Sequence, residues 1–102
     1  MVIEGTDENI NDLLDTDIPV LLYFSAPWCS PCKVFAPVVE EISNEYENLV
    51  VIKIDIEQSP DITNRANIRS VPLIAMVFEG EILRTMSGAV PKAKLEKFIE
   101  RD

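Results

Sequence analysis

Both cysteines of the chain stand two residues apart, in Trp28-Cys29-Ser30-Pro31-Cys32-Lys33. Two thiols at that spacing can close a disulfide and reopen it by exchange with a substrate disulfide. The apolar run Val20-Leu21-Leu22-Tyr23-Phe24 reads as a strand that delivers them to a helix start near Ser30. A thiol at a helix N-terminus meets unpaired backbone N–H groups and the positive end of the dipole, and both favour the thiolate that attacks disulfides. Cys29, at or before the first helical residue, is therefore read as the more exposed, attacking thiol. Cys32, inside the first turn, is read as the resolving thiol. The sequence has no histidine and no third cysteine, half the set of about four ligands that zinc needs. Neither a metal nor an organic cofactor is expected.

The rest of the chain has to hold this pair in place. Its 102 residues, 47% of them hydrophobic, suffice for one packed core, so a single domain over residues 1–102 is expected. No apolar run exceeds six residues, far below the roughly 20 that cross a bilayer, and Met1-Val2-Ile3-Glu4 carries no basic leader. No membrane association is expected, and the cytoplasm is the expected compartment. There a lone cysteine pair cycles more often than it staples. Net charge is −9, with ten acids against Lys33 in residues 1–50 and eight of each sign in residues 51–102. That balance repels phosphate backbones and anionic lipid, which argues against nucleic-acid binding. It suits a partner with a basic face, unless Glu40, Glu41, Glu45 and Glu47 only solvate one side of a helix.

Thr6-Asp7-Glu8 caps and opens a short helix over about 7–15, and Pro19 precedes a central strand over Val20–Ser25. Val34, Phe35, Val38, Val39, Ile42 and Tyr46 mark the apolar stripe of the helix that follows, with Pro31 in its first turn and Pro37 inside it. A strand over 49–55 and a short helix capped by Ser59 come next. Leu73–Phe78 and Glu81–Ser87 make a hairpin around Glu79-Gly80, and Pro91 begins a last helix burying Leu95, Phe98 and Ile99. Strand, helix, strand implies a right-handed parallel βαβ unit. With the hairpin it gives a mixed α/β sheet whose site lies at the carboxyl ends of the strands.

Phe24, Ala26, Trp28-Cys29-x-Pro31-Cys32-Lys33 and Ala36-Pro37 resemble the thioredoxin family. The match continues through Ile54-Asp55, Ile68-Arg69, Val71-Pro72, Gly80-Glu81 and Gly88-Ala89, essentially the whole chain in order. The resemblance implies the thioredoxin fold, a mixed four- or five-stranded sheet flanked by four helices, with a cis bond between Val71 and Pro72. It implies a protein-disulfide reductase, a monomer that acts on disulfide-containing proteins and is recharged by an NADPH-dependent thioredoxin reductase. Ile56, Val71, Pro72, Gly88 and Ala89 are implied to form a shallow groove for substrate, paired through the main chain of Val71.

Around the cysteines, Trp28 would shield the thiolate, Ser30 and Pro31 would set the stiffness of the turn, and Lys33 would add positive potential. One position departs from the resemblance. Where the family keeps a buried aspartate as proton acceptor for the resolving cysteine, this chain has Tyr23, and Lys53, which normally lies near that acid, is retained. Tyrosine, with an ordinary pKa of about 10, does not accept a proton near neutral pH. The alternatives to a general reductase are a redox donor dedicated to one partner enzyme, or an interaction subunit whose exchange activity is incidental.

Overall fold

The computed structural model describes residues 1–101, so the domain end set at Asp102 lies outside the described residues. In chain order the elements are β1 (Val2–Gly5), α1 (Ile10–Leu14), β2 (Val20–Ser25), α2 (Ser30–Glu45), β3 (Val50–Asp55), α3 (Pro60–Arg65), β4 (Leu73–Phe78), β5 (Glu81–Ser87) and α4 (Lys92–Glu100). The five strands form one sheet in the order β1-β3-β2-β4-β5. β1 and β2 run parallel to β3, whereas β4 is antiparallel to both β2 and β5. This is the thioredoxin-type mixed sheet, with β1 as its fifth strand.

All six residues of β2 are buried, which is why the strand reads as a continuous apolar run. Its odd-numbered residues Leu21 and Tyr23 pack with Phe35, Val39 and Ile42 of α2 and Leu95 and Phe98 of α4. Val20, Leu22 and Phe24 pack on the other face with Ile10 of α1 and Ile62 of α3. Two helices thus close each face, and α2 is held so that its N-terminus meets the carboxyl end of β2. Lys92 of α4 pairs with Glu45 and lies 3.9 Å from Glu41, so two acids of α2 answer a cation rather than only facing water.

β1 packs at its end through Gly5, which is buried. A Cβ there would stand 2.5 Å from Ile52 Cγ2 and 2.6 Å from Ile54 Cδ1. A Gly5→Val substitution is expected to overpack this edge and cost about 1–3 kcal/mol, read as a lower urea midpoint with unchanged slope.

Three local expectations need correction. The first helix begins at Ile10, not near residue 7, because Thr6 and Asn9 exchange hydrogen bonds. Thr6 N–H donates to Asn9 Oδ1 at 2.7 Å and Asn9 N–H to Thr6 Oγ1 at 3.2 Å, which closes a turn ahead of the helix. Ser59 does not cap α3, and its buried hydroxyl has no hydrogen-bond partner. The cap comes instead from Asp7, whose carboxylate accepts from the N–H groups of Asp61 at 3.1 Å and Ile62 at 3.0 Å. Asp7→Ala is expected to cost about 1 kcal/mol, measurable by urea unfolding, whereas Ser59→Ala should not. Finally, Val34 is 73% exposed: the buried face of α2 runs through Cys32, Phe35, Val39 and Ile42, and Val34 lies about 100° around the helix from Phe35.

Candidate active site

Cys29 is the N-cap of α2, with an extended backbone, and Ser30, Pro31 and Cys32 are the first three helical residues. Cys32 N–H, one of the donors that a helix start leaves unpaired, donates to Cys29 Sγ at 3.2 Å. The two sulfurs form a disulfide. The expectation that Cys29 is the more exposed thiol is not met, since each cysteine is 3% exposed. In the disulfide both side chains belong to one small ring, which packs with Ala26 against Ile56 and Val71. What distinguishes the two is the hydrogen bond, because among the described residues only the Cys29 sulfur receives an N–H. Ser30, Pro31 and Lys33 are exposed around the ring.

The peptide bond between Val71 and Pro72 is cis. Pro72 is buried and its C=O accepts from Gly88 N–H at 2.9 Å, with Gly88 at a φ of 90° that side chains other than glycine rarely adopt. Val71 and Ile56 therefore touch the disulfide, and Gly88 is tied to the same rim through Pro72. Ala89, next to Gly88, is exposed and lines a hollow of about 310 Å³ with Val34, Phe35, Val38, Val90 and Pro91. No hydrogen bond among the described residues involves the main chain of Val71.

Trp28 is 63% exposed, which removes it from the core, and its indole N–H donates to Glu57 Oε2 at 2.6 Å. Asp55 Oδ1 accepts from Glu57 N–H at 2.9 Å and holds the turn that carries Glu57. Sequence reasoning missed Glu57. Nothing in its local pattern points to it, and only the parallel pairing of β2 with β3 brings the two strand ends together.

Residues 1–101 match the family model described as thioredoxin. Thioredoxin C-2 of Corynebacterium nephridii is 43% identical over 99% of this chain and 95% of its own length. Thioredoxin of Buchnera aphidicola is 40% identical over the same shares, and thioredoxin 1 of Nostoc sp. is 40% identical over 88% of this chain and 85% of its own. The chain belongs to the thioredoxin family. With its Cys-x-x-Cys disulfide seated at the start of α2, it is a protein-disulfide oxidoreductase.

Tyr23 is 2% exposed and its O–H donates to Cys32 C=O at 2.9 Å. Its ring meets Phe35 edge-on at 5.7 Å. Burial pushes the phenol's pKa above its ordinary value, and the nearby Ser25 offsets this only in part. Tyr23 is thus a protonated donor at neutral pH, a packing residue that braces the first turn of α2. Lys53 sits opposite it in the β2–β3 register, half-buried, and makes no ion pair among the described residues. Both line a cleft of about 260 Å³ that runs beside Cys32.

Proposed function

We propose that this protein reduces protein disulfides, with Cys29 attacking and Cys32 resolving. The observation that carries the assignment is the N–H of Cys32 donated to Cys29 Sγ at the cap of a sixteen-residue helix. The helix dipole favours negative charge at this end of α2, and the N–H bond directs that stabilisation to Cys29. Cys29 thiolate attacks a substrate disulfide and forms a mixed disulfide. Cys32 then attacks Cys29, restores the ring and releases a reduced substrate.

Substrate docks as an extended segment along Val71. A half-buried main chain with no internal partner offers an N–H and a C=O to a passing strand, and Ile56 and Gly88 leave room beside it. Trp28, anchored by Glu57, covers one side of the thiol, and Lys33 adds positive potential at the exposed end of the turn. The chain works as one thioredoxin domain, monomeric and cytoplasmic, and an NADPH-dependent thioredoxin reductase recharges it. No helix among the described residues is long and apolar enough to cross a membrane.

The assignment of roles is tested by trapping. Cys32→Ser, incubated with a disulfide-containing protein, is expected to accumulate a mixed disulfide through Cys29 that dithiothreitol releases. Cys29→Ser should accumulate little. Equal trapping by the two variants would overturn the assignment.

A further inference from the structure

Resolution of the mixed disulfide requires the thiolate of Cys32, so a proton must leave a residue only 3% exposed. Tyr23, the polar side chain bonded to the Cys32 backbone, cannot take it: its O–H is already donated to Cys32 C=O and burial keeps the phenol protonated. The cleft beside Cys32 offers another route. Its walls include Tyr23, Ser25, Lys33, Lys53 and Asp55 as well as Cys32, and Asp55 is the one carboxylate lining it among the described residues. Its volume of about 260 Å³ is room for several waters, each needing roughly 30 Å³ and a few polar partners, which these walls supply.

Asp55 is also fixed in position. Its Oδ1 accepts from the N–H groups of Glu57 at 2.9 Å and Gln58 at 3.4 Å, while no hydrogen bond among the described residues engages Oδ2. The charged groups around it are Lys33 on α2, Lys53 on β3 and Glu57 in the following turn. Glu4 of β1 and Glu40 of α2 lie beyond Lys53, around the adjoining hollow that Tyr23 also lines. The cleft therefore holds two cations facing one carboxylate.

We propose that Asp55 accepts the proton of Cys32 through water held in this cleft, replacing the acid that position 23 lacks. This rests on Cys32 as the resolving thiol. The Cys32 S–H bond breaks and its proton passes through water to Asp55. The sulfur lone pair forms the bond to Cys29 Sγ as the bond from Cys29 to the substrate sulfur breaks. The substrate leaves as a thiolate, which takes the proton back through water. The cysteine pair has lost two electrons and the substrate disulfide has gained them.

The test is stopped-flow reaction of the reduced protein with the aryl disulfide 5,5′-dithiobis(2-nitrobenzoate), from pH 5.5 to 9. The first thionitrobenzoate released reports attack by Cys29, the second reports resolution by Cys32. Asp55→Asn keeps an Oδ1 to accept from Glu57 and Gln58, so the turn is retained. It is expected to leave the first release unchanged and to slow the second about tenfold or more at pH 7. The gap should close toward pH 9, where a thiol of ordinary pKa, about 8.5, ionises unaided. A second release that matches the parent at every pH, or one slowed equally at every pH, would overturn the proposal. Cys32→Ser must give a single release, and two releases from that variant would sink the underlying assignment of roles instead.

Discussion

A Cys29→Ser variant is expected to lose disulfide reduction by at least about 10³-fold, the scale on which enzymes respond to loss of a nucleophile. The hydroxyl does not ionise near neutral pH, so the helix N-terminus and the Cys32 N–H have no thiolate to stabilise. Cys32 cannot take over the attack. It lies inside the first turn of α2, and its sulfur receives no N–H among the described residues. Turbidity from insulin reduced by dithiothreitol, with and without catalytic amounts of the variant, measures the loss. Retention of even a tenth of the parent rate would mean that Cys29 is not the attacking group.

The second large effect is on stability. Tyr23→Asp is expected to destabilise the fold by about 3–5 kcal/mol at pH 7, combining the loss of a large buried ring with the burial of a carboxyl. The ring contact with Phe35 and the bond to Cys32 C=O both go, in a strand with every residue buried. Burial raises the folded-state pKa of the new carboxyl above its unfolded value of about 3.9. Its deficit is therefore smallest below about pH 4 and grows as pH rises through the folded pKa. Tyr23→Phe separates the two losses, at about 1 kcal/mol for the hydrogen bond alone. The native phenol has its own signature. Its pKa is raised by burial, so the stability it contributes is present below about pH 10 and is lost above it. Urea unfolding at pH 9 and pH 11 should show a smaller alkaline loss for Tyr23→Phe than for the parent. An equal loss would place the alkaline sensitivity elsewhere, for instance at Tyr46, whose phenol is also pushed up by desolvation and by Glu100.

Much of this architecture was legible because it follows from local periodicity. β2, α2, the β4–β5 hairpin and α4 were placed to within a residue or so, since each has a sustained apolar pattern bounded by proline, glycine or polar residues. The cysteine pair was legible because its spacing matches one helical turn. What escaped reading depends on contacts between distant segments. Asp7 looks like a first-turn acid of α1 yet caps α3, 54 residues on. Arg84 of β5 looks like a surface charge, yet its guanidinium donates to the carbonyls of Phe98, Ile99 and Arg101 at the end of α4. Glu57 and Asp55 reach the site only because β2 and β3 end side by side. The equal burial of the cysteines could not be read either, because it arises from closing the ring between them and packing it on Val71 and Ile56.

The reduction potential of the Cys29–Cys32 couple tests the central claim most directly, and equilibration in glutathione or dithiothreitol redox buffers measures it. A protein that donates electrons to substrate disulfides must be reducing, at about −270 mV, which is the reference value for thioredoxin itself and not a figure obtained from this geometry. Each shift of about 30 mV changes the exchange equilibrium roughly tenfold. A potential of about −120 mV, where the pair would oxidise dithiols, would contradict the reductase.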